Sequence, residues 1–134
     1  MDQLVRNSIM TPDGTVLVSY HRHDYVSHLD KNGETYFIDG GNSYQRSSVN
    51  HIPAKVLHVF VTDDFTLVRA AFHWGTRGIN GNKPLKQVRL MDMTTEHIEA
   101  IMLTQTHIDN TYVNQIFEKE LTYRNKIYCS DIQN

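Results

Sequence analysis

The sequence predicts an α+β fold: an N-terminal antiparallel β-sheet of hairpins, then a mid-chain helix and two C-terminal helices. Two observations predict it. Up to about residue 61, short runs of alternating and β-branched residues are separated by turn signals, as in hairpins. Beyond that point, apolar residues recur at helical spacing in three segments. Strands followed by helices are typical of an α+β protein with helices on one face of the sheet.

The predicted sheet region covers about residues 8–61 and contains two hairpin turns. Pro12-Asp13-Gly14 has turn chemistry, since proline presets its own φ and glycine accepts a positive φ. Asn32-Gly33 separates the runs 25–29 and 34–39, and Asn-Gly is a strong hairpin signal. A third strand is predicted at 56–61 because that run is rich in β-branched residues.

The helical part begins after this sheet. Thr62 precedes two acidic residues, which suits a helix N-terminus, and we predict a helix over about 63–74 that Gly75 ends. The remaining predicted elements are a glycine-rich loop at 75–84, a strand at 85–90, helices at about 95–105 and 110–122, and a peripheral tail at 125–134.

Composition limits the function classes. A chain of 134 residues predicts a single domain over 1–134. Its 13 Lys and Arg against 15 Asp and Glu exclude a duplex nucleic-acid binder driven by bulk positive charge, but not a small anionic ligand held by a few cations. One cysteine allows no disulfide within the chain. We expect no signal peptide and no membrane span, and therefore a cytosolic protein.

A first candidate constellation is the run from Tyr20 to Tyr25. On a strand, His21 and His23 would point to the same side, and His28 or Asp39 could complete a zinc or manganese site with Asp24. The simpler interpretation, which we favour, is that Asp24 pairs with Arg22 and the histidines are solvated.

A second candidate is the run from Asp39 to Arg46. Its two glycines allow a sharp turn or a close approach of the backbone. Tyr44 and Arg46 supply an aromatic ring and a guanidinium, which together suit a purine and its phosphate. A plain turn with a solvated arginine remains the alternative.

The third and strongest candidate covers residues 72–86, with the only tryptophan, three glycines and several donors. Asn82 and Lys83 are residues that no core would favour, whereas Phe72 and Trp74 could equally well be core residues. Nucleophilic catalysis has little support, because no Gly-x-Ser-x-Gly motif occurs and Cys129 follows the last predicted helix. These patterns favour binding over catalysis.

Several short motifs together carry a family resemblance over about residues 6–124: Arg6-Asn7-Ser8-Ile9, Pro12-Asp13-Gly14-Thr15, Arg22-His23-Asp24-Tyr25, Asp39-Gly40-Gly41, Trp74-Gly75-Thr76, Pro84-Leu85-Lys86 and His97-Ile98-Glu99-Ala100-Ile101. With them the chain resembles the first-described type of the phage Thoeris anti-defence proteins. The resemblance implies a sponge that sequesters, without cleaving it, a cyclic ADP-ribose isomer made by bacterial TIR-domain proteins. Some members also hold cyclic trinucleotides of CBASS defence at a separate site. The resemblance further implies a homo-oligomer in which dimers are grouped into a hexamer, with the signal pocket between protomers, in the cytoplasm of the infected bacterium.

The resemblance also implies site residues. Phe72 and Asn82 look like the family's aromatic and asparagine, and Arg46 looks like one of its arginines, whereas the helix-borne arginines have no clear match. The full set of expected ligand-binding residues is Arg22, Arg46, Phe72, Trp74, Thr76, Asn82, Lys83 and Arg124. We expect no catalytic residue, no metal and no cofactor. We also expect Phe72→Ala and Asn82→Ala to weaken binding and to leave the fold unchanged.

Two alternatives of other classes stay open. One is a metal-dependent phosphodiesterase or nuclease that uses His21, His23 and Asp24. The other is a phage inhibitor that acts by direct contact with a host protein.

Overall fold

The structure is a computed structural model that describes residues 3–78 and 80–133. It confirms the α+β class: antiparallel sheets come first, and helices lie in the middle of the chain and at its C-terminal end. The chain divides into two compact units, the first ending at Ala71 and the second beginning at Phe72. The single domain over 1–134 stays a prediction.

The first unit consists of two antiparallel sheets and one short helix. The strands are β1 (Leu4–Met10), β2 (Val16–Ser19), β3 (Val26–Leu29), β4 (Thr35–Asp39), β5 (Arg46–Ser47), β6 (Lys55–Val56) and β7 (Val59–Phe60), and the helix is α1 (Phe65–Ala71). One sheet has the order β2-β1-β6, with β7 also paired to β1, and the other has the order β3-β4-β5. The two predicted turns connect β1 to β2 and β3 to β4.

The core of the first unit contains the inward-facing residues of these strands. Ile9, Leu17, Tyr36 and Ile38 are buried together, and Val26 packs against them. Tyr36 and Ile38 alternate with more exposed neighbours along β4, as the two-residue period of a strand requires.

The second unit contains a hairpin and two helices: β8 (His73–Thr76), β9 (Lys86–Arg89), α2 (Thr95–Thr104) and α3 (Tyr112–Gln133). Thr94 caps α2, because its hydroxyl accepts a hydrogen bond from the backbone N–H of His97 at 3.1 Å. The buried apolar residues of this unit are Phe72, Leu90, Met93, Ile98, Ile101, Ile108, Ile116 and Phe117.

The strand predicted at 56–61 is two short strands, β6 and β7, and two predicted helix boundaries were wrong. The helix predicted over 63–74 ends at Ala71, and residues 73–76 form β8 instead. The reason is that Trp74 pairs with Val88 of β9, and the N–H of Leu90 donates to the carbonyl of Phe72 at 2.9 Å, so the ladder replaces helical hydrogen bonds.

The last helix is also longer than predicted. It continues to Gln133 instead of ending near 122 and leaving a tail. Residues 123–133 contain neither glycine nor proline, so the sequence there has no helix breaker. Cys129 therefore lies within the helix. Among the described residues, no helix is both long enough and apolar enough to cross a bilayer.

Candidate functional site

The run that carries the histidine pair is a turn and not a strand. Strand β2 ends at Ser19 and β3 begins at Val26, so His21 and His23 lie between them, both exposed. Asp24 does not pair with Arg22: its carboxylate accepts the N–H of Tyr20 at 2.8 Å. The prediction of two histidines on one face of a strand is therefore wrong, because the turn replaces the alternation on which it depended.

This turn packs against the turn at Gly40-Gly41. The hydroxyl of Ser19 donates to the carbonyl of Asp24 at 2.7 Å and accepts the N–H of Gly41 at 2.9 Å. A Cβ on Gly41 would lie 2.5 Å from the carbonyl carbon of His21. The close approach that the second glycine allows is thus to the chain's own turn, and it brings the turn of Arg22 against the segment that leads to Arg46.

Gly40 closes that segment into a tight loop. Its φ is +92°, and a Cβ would lie 1.7 Å from the carbonyl oxygen of Tyr44. The N–H groups of Ser43 and Tyr44 both donate to the Gly40 carbonyl, at 3.1 and 3.2 Å. Both glycines of this motif are therefore explained by the fold, and the loop they make positions β5 and its arginine.

Arg46 lies on an aromatic platform. Its guanidinium carbon is 5.7 Å from the centroid of the Phe37 ring, and that ring stacks on Tyr25 with centroids 5.2 Å apart and planes 25° apart. Nη2 of Arg46 donates to a carboxylate oxygen of Asp39 at 2.8 Å. Because Tyr25 is 54% exposed and the Arg46 side chain 61% exposed, aromatic surface and guanidinium are both open to solvent. We call Tyr25, Phe37 and Arg46 the aromatic platform.

The platform has the chemistry of a nucleotide contact. Aromatic faces stack on nucleobases whatever the base, and a guanidinium pairs with phosphate oxygens. Tyr25 and Phe37 were missed at the sequence level, although a signal existed. The hairpin turn at Asn32-Gly33 sets the register that pairs Ser27 with Phe37, and Tyr25 is then the diagonal neighbour on the same face.

Of two expected ligand residues in the second unit, Phe72 belongs to its core and Trp74 packs on the same phenylalanine ring. Phe72 is 4% exposed and meets Phe117 edge to face, with centroids 5.7 Å apart. Trp74 meets the same ring at 5.6 Å and is partly buried. A ligand could stack on Phe72 only if the core opened, so we expect that ring to support the hairpin.

The loop that joins β8 to β9 is exposed. The hydroxyl of Thr76 accepts the N–H of Gly78 at 3.2 Å, and the N–H of Lys83 donates to the carbonyl of Arg77 at 2.9 Å, which closes the base of the loop. Asn82 lies within the loop and Lys83 at its closure, and both residues are exposed to solvent. We call residues 77–78 and 80–83 the hairpin tip.

Arg124 links α3 to the segment before α2. Nε donates to Glu120 at 2.6 Å, Nη1 to the hydroxyl of Thr95 at 2.9 Å, and Nη2 to the carbonyls of Leu90 and Met93 at 3.1 and 2.6 Å. These four contacts are structural, but the residue also lines a cavity of about 470 Å³ together with Thr95, Glu99, Leu121, Thr122 and Asn125. Glu99 in that lining disfavours an anionic ligand in the cavity.

The eight expected ligand residues thus fall in both units. Arg22 and Arg46 lie in the first unit, and their two turns are in contact. In the second unit, Thr76, Asn82 and Lys83 are at or beside the hairpin tip, whereas Arg124 is on α3. No family model, no curated protein and no solved structure matches this chain.

Proposed function

We propose that this chain is a phage anti-defence protein that binds and sequesters a cyclic ADP-ribose isomer without cleaving it, and so blocks the host Thoeris effector. Its motif resemblance to the Thoeris anti-defence family supports the proposal. The observation that carries it furthest is the aromatic platform, where a stacked ring pair and a guanidinium are exposed together.

The platform suits two chemical groups of such a ligand, the adenine and the pyrophosphate. The adenine would stack on the exposed face of Tyr25, a contact worth about 1–3 kcal/mol per base. A guanidinium has five N–H donors, and Arg46 donates one hydrogen bond, to Asp39. Its other donors can therefore pair with the pyrophosphate while the bond to Asp39 persists.

Residues of the hairpin tip enter the proposal through the family resemblance and their residue types, and not through any contact with the platform. Asn82 can hydrogen-bond ribose hydroxyls, and Lys83 adds positive charge for phosphate. Trp74 and Thr76 lead into the tip from β8. Phe72 takes a supporting part instead of a stacking part, because of its burial.

The rest of the proposal follows from the family resemblance. The protein is a homo-oligomer in which dimers are grouped into a hexamer, with the signal pocket shared between protomers. It acts in the cytoplasm of the infected bacterium, and cyclic trinucleotides are a second ligand class.

The decisive experiment asks whether the ligand is captured intact. The protein is incubated with a cyclic ADP-ribose isomer, separated from unbound ligand and denatured by heat. The released nucleotide is then identified by mass spectrometry. We expect the unchanged isomer in stoichiometric amount. Recovery of hydrolysed product alone would refute sequestration and favour the hydrolase alternative, and capture of a host protein with no nucleotide would favour inhibition by direct contact.

Matched variants test the platform itself. Tyr25→Ala and Arg46→Ala are each expected to weaken the isomer's binding about tenfold, since each removes a contact of roughly 1.4 kcal/mol or more. Arg89→Ala is the control, because Arg89 also pairs with an aspartate at 2.9 Å and is 48% exposed but belongs to the other unit. Equal affinity for the Arg46 and Arg89 variants would exclude the platform.

A further inference from the structure

A second group of functional side chains lies where two turns of the first unit meet. Asp13 is in the turn between β1 and β2, Asp30 begins the turn between β3 and β4, and His28 is on β3. Nε2 of His28 is 2.9 Å from a carboxylate oxygen of Asp13 and 3.9 Å from one of Asp30. One ligand atom from each residue lies within 4.8 Å of the others. We call these three residues the two-turn cluster.

The cluster concentrates negative charge away from water. The side chain of Asp13 is 7% exposed and that of Asp30 is 1% exposed. Within residues 3–78 and 80–133, His28 is the only basic side chain at ion-pair distance from either carboxylate. A single imidazole supplies at most one positive charge, so two buried carboxylates have fewer than two positive charges to balance them.

The carboxylate of Asp30 also has unused acceptor capacity. In the described part of the chain it accepts two side-chain hydrogen bonds, from the N–H of Asp13 at 3.2 Å and from the N–H of Asn32 at 3.3 Å. A carboxylate has about four lone-pair sites, and buried ones are normally filled. Part of Asp30 therefore remains available to a cation, although its side chain is almost fully enclosed.

Asp13 differs, since its carboxylate is held by several donors. One oxygen accepts hydrogen bonds from the hydroxyls of Thr11 and Thr15 and from the N–H of Thr15. Its other oxygen faces His28 and accepts the N–H of Lys31 at 3.2 Å.

The spacing of the donors fits a coordination sphere. Two ligand atoms about 2.1 Å from an ion are about 3.0 Å apart in octahedral geometry, as for manganese, and about 3.4 Å apart in the tetrahedral geometry of zinc. The separation of Nε2 of His28 from the Asp13 carboxylate oxygen is 2.9 Å. One imidazole nitrogen and two carboxylate oxygens suit zinc or manganese, whereas calcium prefers oxygen ligands throughout. His28 is 28% exposed, which gives an ion access and leaves room for water as a further ligand.

We propose that Asp13, His28 and Asp30 bind one divalent transition-metal ion. The ion replaces the hydrogen bond between His28 and Asp13, with the imidazole proton on Nδ1 and Nε2 as the ligand. It balances the two carboxylates and joins the two turns. This site is independent of the nucleotide proposal, because neither its residues nor its ligand is shared with the platform.

The test is direct binding of Zn²⁺ or Mn²⁺, each alone, to the full chain stripped with EDTA. Isothermal titration calorimetry measures the stoichiometry and affinity of the ion. Thermal unfolding measures how far the ion stabilises the protein, since an ion that binds the folded state raises Tm. We expect one ion per chain, a higher Tm with metal, and at least about tenfold weaker binding for His28→Gln and for Asp30→Asn.

Control variants make the result specific. His23→Gln removes an exposed histidine of the neighbouring turn and is expected to bind the ion as wild type does. Circular dichroism and a urea titration without metal show whether the His28 and Asp30 variants are folded. No binding of either metal to the wild-type chain would overturn the proposal. So would binding that survives in both folded cluster variants, or that is lost in His23→Gln.

Discussion

Replacing Phe72 with alanine is expected to destabilise the second unit by about 4 kcal/mol. The ring is 4% exposed, and Phe→Ala substitutions in a core cost about 3–5 kcal/mol from lost burial and the cavity left behind. The edge-to-face contact with Phe117, at 5.7 Å, contributes about 0.5–1.5 kcal/mol of its own within that range. Domains are stable by only about 5–15 kcal/mol, so the loss would be a large fraction of the total.

Trp74 makes this loss measurable in the right place. It is the only tryptophan, and its ring is 5.6 Å from Phe117, so its fluorescence reports on the unit that contains Phe72. Urea titrations of wild type and Phe72→Ala, followed by this emission, give the difference in the free energy of unfolding. Leu103→Ala is the control: Leu103 is in the same unit but 81% exposed, and its change should stay within about 0.5 kcal/mol.

The result decides how a binding defect of Phe72→Ala is interpreted. A loss near 4 kcal/mol means that weaker ligand binding follows from a damaged fold, contrary to our expectation from the sequence that the fold would be unchanged. A loss below about 1 kcal/mol would refute the burial argument, because removing a core phenylalanine costs about 3–5 kcal/mol. The ring would then be free to contact ligand.

Two further predictions concern stability. Gly40→Ala should destabilise the first unit more than Gly14→Ala does, as measured by urea titration. Both glycines have a φ of +92°, but only at Gly40 would the new Cβ meet backbone, 1.7 Å from the carbonyl oxygen of Tyr44. Equal losses of unfolding free energy would contradict the steric argument. The second concerns pH: burial lowers the pKa of His58, whose Nδ1 accepts the N–H of Ser8 at 3.1 Å. The neutral ring is favoured in the folded state, so this contribution is complete above the unfolded pKa of about 6.5 and is lost as pH falls below it. His58→Gln should flatten the decline in unfolding free energy between about pH 7 and pH 5, and an unchanged slope would count against it.

Local turn chemistry explains how much of the fold could be predicted. The hairpin around Asn32-Gly33 was placed correctly because the turn and the alternation beside it are contiguous in sequence. The boundary near residue 72 was missed for a different reason. Phe72 and Trp74 alternate, as strand residues do, but Gly75 resembles a helix stop, and only pairing with Val88 favours the strand.

Only part of the candidate sites is encoded in local patterns. The aromatic platform could have been derived from the hairpin register, since Tyr25, which directly precedes β3, is the diagonal neighbour of Phe37 on β4. The contact of Asp13 with His28 joins two separate hairpins and arises only when they pack. The sequence pattern singled out His21 and His23 because they are close in sequence. The residues of the two-turn cluster come instead from one strand and two turns.

The β8–β9 hairpin has one end fixed and the other end free. Phe72 and Trp74 hold its base against Phe117, while residues 80–83 face solvent in the loop that the hydrogen bond between Arg77 and Lys83 closes. Exposed loops tolerate substitution and insertion far better than packed positions do. Substitutions at the tip should therefore cost little stability, so that, under the proposed function, ligand preference could change there while the packed base of the hairpin stays the same.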